Sequence, residues 1–415
     1  MHLAYVCADP GIPYWGTKGA SIHVRSFTGA MAAAGHSVTV IIARTGKRSA
    51  DPPAGVRVIE VPIEQEGFFE PSAETPIEQT ALLSESRQFA QNRATQDVIN
   101  DIVAHTPIDV ICERYSLFST AGRECARWHN IPFVLEVNAP LVVEQREHRR
   151  LILEPLARQI ERFLFASADC VVPVSAPLAG YITSVAPLAH VCVIPNGVEI
   201  DAFMAADDGA RWRRQWGSSG RDTFLIGFIG SLKPWHGLDL LMDAFAEIRT
   251  SGREAKLILI GDGPLRRALE DDAFARGLKA DVVFTGGLEH AEVPSAAQAL
   301  DVLVAPYPPM ERFYFSPLKV YEYMAAGKPI VASRIGQISD ILEEGRTALL
   351  IPPGDTRALV EAITQLIQDG DLAKRIGAEA RRVAQNRHSW AHRIDEWLRL
   401  LALLSPVSRP EEMKA

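Results

Sequence analysis

The sequence predicts an α/β protein of two Rossmann-like, doubly wound parallel-sheet domains facing each other across a cleft. Short runs of Val, Ile and Leu without clean alternation indicate strands buried on both faces, as in a parallel sheet covered by helices. Amphipathic stretches separate these runs, and the strand-then-helix pattern restarts in the second half. A length of 415 residues gives each half a core of its own.

In the first half, strands are expected at Leu3–Cys7, Val38–Ile42, Val56–Val61, Asp109–Cys112, Pro132–Val137, Cys170–Val174 and Val191–Ile194. A Gly-rich loop from Gly11 to Gly19 leads into a helix from Ser21 to Ala34, which Gly35 stops. Glu64 to Thr80 is rich in Glu, Pro, Ser and Thr, lacks periodicity, and reads as a loop or lid. Leu141 to Phe165 reads as one long helix. On it Arg146, Arg149, Arg150, Arg158 and Arg162 alternate with Glu144, Glu147, Glu154 and Glu161. Such a face is solvated and laced with i,i+4 pairs; peripheral docking at the inner face of a membrane is its other reading.

In the second half, strands are expected at Phe224–Ile229, Lys256–Ile260, Val282–Phe284, Val302–Ala305, Ile330–Ala332 and Leu349–Ile351. Helices follow at Leu238–Thr250 and from Leu265 to Arg276. The division is residues 1–195, residues 196–385, and a C-terminal helical segment 386–415 that packs back toward the first domain. Trp397, Leu400, Leu401 and Leu404 share one side of that last helix.

A composition of 47% hydrophobic and 23% charged residues is that of a globular protein. The net charge of −8 excludes a general nucleic-acid binder, which carries a basic excess. Cys7, Cys112, Cys125, Cys170 and Cys192 are scattered and form no CxxC pair, so buried free thiols in a reducing compartment are expected. The first residues lack the basic-then-apolar order of a signal peptide. No run of about 18 apolar residues offers a spanning helix. A cytoplasmic protein is expected.

The most informative stretch runs from Phe315 to Ser333: a polar turn, a helix carrying Glu322 in its early turns, a stop at Gly327, and an apolar strand. Free amides at a helix start suit a phosphate, and a carboxylate one to two turns along suits a ribose diol. Phe315, Ser316, Pro317, Leu318, Lys319 and Glu322 are therefore candidate nucleotide contacts. A second loop, Gly230-Ser231-Leu232-Lys233-Pro234-Trp235-His236-Gly237, also follows a strand and precedes a helix, so Lys233 and His236 are placed to face a diphosphate. Gly261 opens the turn after the next strand. In the first half, Gly16, Lys18 and Gly19 lie between strand and helix, where small residues let amides approach an anion. No GxGxxG and no acid ending the second strand support a nicotinamide site. Asn196-Gly197 reads as a turn at the junction. Asp369-Gly370-Asp371 reads as an exposed turn between helices, so no metal and no cofactor are expected.

In this order, KGAS with the histidine that follows, IPNGV, GSLKPWHG, GDGP and SPLKVYEYMAAGKPIVAS, the chain resembles the retaining nucleotide-sugar glycosyltransferases of family 4, which have the GT-B fold. The likeness covers nearly the whole chain and is stronger in the second half. It implies metal-independent transfer of a sugar from a UDP- or GDP-linked donor, bound by the second domain, to a hydroxyl of a glycan, lipid-linked or small-molecule acceptor, bound by the first. It implies that cationic side chains and helix N-termini stabilise the leaving diphosphate. Glu322 matches the second acid of the family's E-x7-E motif, while the first falls on Tyr314, with Glu311 as nearest substitute. Ser231 and His236 fall on the family's phosphate-clamping arginine and lysine, so the resemblance assigns charge compensation to His236, assisted by Lys233 or Lys319. Asn138 replaces a first-domain histidine, and Asn196 and Gly197 match a hinge-proximal turn. An epimerase of the same architecture and an impaired partner subunit remain alternatives, distinguished by turnover without acceptor or by binding without transfer.

Overall fold

A computed structural model describes residues 1–48, 50–63, 75–217 and 223–404. The chain divides into two compact units, one of Met1–Pro195 joined by the chain from Arg393, the other of Asn196–His392. Each unit holds one six-stranded parallel sheet.

The first sheet contains β1 (His2–Cys7), β2 (Ser37–Ile42), β3 (Val56–Glu60), β4 (Val110–Arg114), β5 (Phe133–Val137) and β6 (Cys170–Pro173), in the order β3-β2-β1-β4-β5-β6. The second contains β7 (Phe224–Ile229), β8 (Ala255–Ile260), β9 (Val282–Gly286), β10 (Val302–Ala305), β11 (Ile330–Ser333) and β12 (Leu349–Ile351), in the order β12-β11-β10-β7-β8-β9. The order reverses between β1 and β4 and again between β7 and β10. In open sheets of this kind, a crevice for ligands opens at that point beyond the strand carboxyl ends.

Two-sided burial explains the unbroken apolar runs. Along β7, Leu225 and Ile229 enter one core cluster while Ile226 and Phe228 enter the other. Along β10, Leu303 and Ala305 alternate in the same way with Val302 and Val304. Each Val, Leu, Ile or Phe side chain fully buried there stabilises the fold by about 1.5–3 kcal/mol.

Three expectations need correction. Leu141–Phe165 is not one helix but two, Leu141–His148 and Glu154–Ser167. Arg149 is extended, and the amides of Ile152 and Leu153 donate to the buried Glu85 carboxylate at 2.9 and 2.7 Å instead of continuing a helix. Pro155 then opens the second helix, where its missing N–H costs nothing. Val191–Ile194 is not a strand; Val191 forms a single bridge with Val171. Most of the Glu64–Thr80 loop lies outside the described residues, but Ile77 to Thr80 begin a helix, Ile77–His105. That helix left no apolar stripe to read, because Glu85, Gln91 and Thr95 share its buried face with Ile99 and Ile102.

Asp369 accepts from the Leu372 amide at 2.9 Å and caps the helix Gly370–Arg387, so the Asp-Gly-Asp string serves a helix start. No disulfide joins the five cysteines; four are buried, and burial pushes the Cys7, Cys125 and Cys170 thiols up to about 12. Among the described residues, no helix is long and apolar enough to cross a membrane. In the first unit Trp397 packs on Phe27, ring centroids 4.9 Å apart.

One polar cluster lies inside the first unit. Glu136, near the end of β5, accepts from Tyr5 Oη at 2.5 Å and binds His23 Nε2, and Arg114 Nη1 lies 3.6 Å away. Burial alone would raise its carboxyl, but His23, Arg114 and Tyr5 outweigh burial and hold it at about 2. The cluster fastens the helix Gly19–Ala33 onto β1, β4 and β5. Removing one member of a buried pair leaves the others uncompensated. Glu136→Gln is expected to destabilise the protein by about 3 kcal/mol or more, read as a lowered urea midpoint; an unmoved midpoint would show that the cluster contributes nothing.

Candidate active site

The second unit's candidate residues gather where β7 and β10 part. These strands pair only at Val302↔Ile226 and Leu303↔Gly227. Beyond that register the Ile229 amide has no strand partner, and it donates to Tyr323 Oη at 2.8 Å. The same hydroxyl reaches the carbonyls of Ile229 and Val304 at 3.3 and 3.5 Å. Tyr323 thus satisfies the backbone that the parting strands leave open. Sequence reasoning missed it; a tyrosine inside an otherwise apolar helix face was the available signal.

The loop after β7 turns at Gly230, whose φ is +146°, and the loop after β8 at Gly261, whose φ is +137°. A Cβ on Gly261 would lie 2.0 Å from the Gly230 carbonyl oxygen, and one on Gly230 would lie 2.8 Å from Lys319 Nζ. Both positions therefore require glycine, for backbone angle and for space. They bring two strand-end loops into backbone contact and leave room for the lysine.

Lys319 belongs to the first turn of the helix Leu318–Ala326, which begins after Pro317 with no side-chain cap. Early amides of such a helix have no intrahelical partner. The Lys319 stem is partly exposed, but its ammonium nitrogen is buried and has no hydrogen-bond partner. It lies 4.1 Å over the Phe228 ring and 5.6 Å from the Tyr307 ring. Burial lowers it to about 7, partly offset by the Glu322 charge. The ammonium therefore sits beside an uncapped helix start without a hydrogen-bonded acceptor of its own.

His236 closes the other side of the same aromatic group. Its ring packs against Phe228 and Tyr307 with centroids 5.7 and 5.6 Å away. Nδ1 donates to the Ser231 carbonyl at 2.6 Å, which leaves Nε2 as the acceptor of the neutral ring. Burial, then the Lys319 charge, lowers its pKa to about 3. His236 is therefore neutral at pH 7, whereas Lys319, at about 7, is charged about half the time there. The Lys233 ammonium lies 4.6 Å over Trp235.

Asn196 is more than a turn residue. Its amide donates to Ser316 Oγ at 3.2 Å, and its Nδ2 donates to the Ser316 carbonyl at 2.6 Å. The buried Asn196 thereby fixes the bend that starts the Lys319 helix. Phe315 packs on Phe313 and Tyr314, centroids 5.3 and 4.4 Å apart, and Tyr314 is partly buried. Glu311, the substitute acid, is exposed. Glu322 faces His290, a residue the sequence reading did not single out, at 3.2 Å.

Gly16, Lys18, Gly19 and Asn138 belong to the first unit, the first three at the start of the helix Gly19–Ala33 and Asn138 just after β5. Gly16 presents its carbonyl to Arg25 Nη1 at 2.7 Å, and exposed Lys18 precedes the helix at Gly19. Asn138 follows β5, and its Nδ2 is buried without a hydrogen-bond partner.

Two parallel six-stranded sheets with a site at a strand-order reversal define a two-domain, Rossmann-like enzyme of the GT-B class. The family description "Glycosyltransferase Family 4" matches residues 17–202, and "Glycosyl transferases group 1" matches residues 223–369. The chain belongs to the group 1, family 4 glycosyltransferases. It is 28% identical over 338 residues to the O-antigen chain mannosyltransferase C of Escherichia coli, covering 80% of this chain and 81% of that one. It is 30% identical over 183 residues to an alpha-D-kanosaminyltransferase of Streptomyces kanamyceticus, a match of 43% of this chain and under half, 46%, of that protein. Among solved structures, sucrose-phosphate synthase from Thermosynechococcus elongatus superposes with a TM-score of 0.76 at 22% identity, covering 98% of this chain and all of that one. Anabaena HepE in complex with UDP gives 0.68 at 20% identity, covering 97% and 100%. These structural likenesses show the fold.

The approach at Gly261 is testable without a ligand. Gly261→Ala forces its new methyl into the Gly230 carbonyl, so a loss of about 3 kcal/mol or more is expected in thermal unfolding. An unchanged melting temperature would mean that the two loops are not held together.

Proposed function

We propose that this glycosyltransferase moves a sugar from a UDP- or GDP-linked donor to an acceptor hydroxyl, with retention at the anomeric carbon and without a metal ion. The observation that carries the reading is the buried Lys319 ammonium, which has no hydrogen-bond partner and adjoins an uncapped helix start and the Gly230 loop. A diphosphate supplies the charge this place lacks, and charge-assisted bonds to it are among the strong ones. Glu322, one turn along the same helix, then meets the nucleoside ribose.

The second unit is the donor-binding unit in this reading. The first, with Gly16, Lys18 and Gly19 at a helix start and Asn138 after β5, takes the acceptor. The relatives' printed names include a 2-deoxystreptamine glucosyltransferase, an O-antigen chain mannosyltransferase and a phosphatidyl-myo-inositol mannosyltransferase, which supports a small-molecule, glycan or lipid-linked acceptor. Those names are all transferases, so neither the epimerase nor the impaired subunit is favoured.

Chemically, the bond from the anomeric carbon to the diphosphate oxygen breaks as the acceptor oxygen bonds to that carbon on the same face. The acceptor proton passes to the departing phosphate. Tyr314, which takes the place of the first acid, is no carboxylate nucleophile, which favours this front-face route over a covalent intermediate. Lys319 and the helix amides stabilise the charge that builds on the leaving group. Lys233 is poised to add to this, and His236, neutral alone, is able to take a proton once an anion is present.

The experiment is the pH profile of UDP and GDP affinity. Lys319 is charged below about 7, so affinity is expected to be full there and to fall about tenfold for each pH unit above it, until the bound-state pKa is reached. Lys319→Met is expected to bind weakly and to lose that slope. A flat wild-type profile, or a mutant that keeps the slope, would remove Lys319 from the diphosphate site.

A further inference from the structure

We propose that His290 is a positioning residue for the donor nucleoside: it holds the Glu322 carboxylate in the plane that receives a ribose diol. The inference deepens the nucleotide-sugar reading above and rests on it.

Glu322 lies mid-way along the helix Leu318–Ala326, between buried Val320 and Tyr321 on one side and Tyr323 and Met324 on the other. Its carboxylate is 14% exposed and the His290 ring 26% exposed. Both are open enough for a ligand to reach and packed enough to have a defined direction. His290 Nε2 meets Glu322 Oε1 at 3.2 Å. When Nε2 carries the proton, it donates one hydrogen bond and occupies one lone pair of Oε1. Oε2 and the second lone pair of Oε1 stay available, which is what two neighbouring hydroxyls need.

The reason for a second residue is entropic. A glutamate on a helix surface has three rotors, and a ligand that needs one orientation must freeze them on binding. A carboxylate already tied in that orientation binds more tightly because the ordering cost was met in folding. His290 suits this role because its own backbone is firmly placed. It follows β9 in a short turn closed by the Glu292 amide to the Glu289 carbonyl at 2.8 Å. Leu288 before it packs against the same apolar cluster that holds Val293, Ala296, Ala297, Val320 and Tyr323. Carboxylate and imidazole are thus mounted on two elements that share one core.

The test compares UDP and GDP with their 2′,3′-dideoxy counterparts in wild type, His290→Ala, His290→Gln and Glu322→Ala. Affinity for the dideoxy compounds is the control for an intact site and is expected to stay unchanged in both His290 variants. Wild type is expected to prefer the ribose compounds, and Glu322→Ala to lose that preference. His290→Ala is expected to cut the preference about fivefold or more, and His290→Gln, whose amide donates from nearly the same place, to restore most of it. In a Glu322→Ala background, His290→Ala is expected to add nothing further. A preference that survives His290→Ala while Glu322→Ala abolishes it would overturn the role of His290 alone. Wild type that binds neither nucleotide, or a preference untouched by Glu322→Ala, would overturn the nucleotide reading and this inference with it.

Discussion

The parting of β7 from β10 is the constraint on which the second unit's chemistry depends. Where two neighbouring parallel strands diverge, the sheet gives up hydrogen bonds, and something must take the exposed backbone. Tyr323 does so with a single hydroxyl that reaches both strands. The loops beside the opening that results turn at glycines because a side chain at Gly261 would strike the Gly230 carbonyl and one at Gly230 would crowd the Lys319 ammonium. Into that opening the helix Leu318–Ala326 directs its start and the Lys319 ammonium. The placement of the Lys319 ammonium is a consequence of strand order first and of individual side chains second.

The electrostatics of the site follow from its dryness. Two bases, Lys319 and His236, share the rings of Phe228 and Tyr307, and neither has a carboxylate as a direct partner. Burial lowers both pKa values, and the lysine charge lowers the histidine further. Of the two bases, Lys319 is the one that carries charge near neutral pH, and His236 stays neutral. An arrangement with two standing cations would cost more to keep folded. On the proposed reading an incoming diphosphate offsets that cost, so ligand and protonation are coupled.

Much of this was legible in the sequence because each strand is buried on two faces and therefore reads as an uninterrupted apolar run. The helix bearing Glu322 was legible for a different reason: Gly327, with φ +66°, ends it, and Pro329 follows. What escaped notice has a common cause. The helix Ile77–His105 buries Glu85, Gln91 and Thr95, so no apolar stripe announced it. The break after His148 depends on Glu85, more than sixty residues earlier in the chain, reaching the amides of Ile152 and Leu153. Tyr323, His290 and the Glu136 cluster act through partners distant in sequence, and spacing carries no record of such pairs. Asn196 was visible as a turn, but its hold on Ser316 was not.

The central claim is that a diphosphate seats against Lys319 at the start of the Leu318–Ala326 helix. The most direct measurement is a crystal structure of the protein with UDP or GDP bound. The account predicts a phosphate oxygen at about 2.7–2.9 Å from Lys319 Nζ, further phosphate contacts to amides of that helix's first turn, and the ribose against Glu322. A nucleotide bound at another place, or one bound here while Lys319 still faces only the Phe228 and Tyr307 rings, would contradict it.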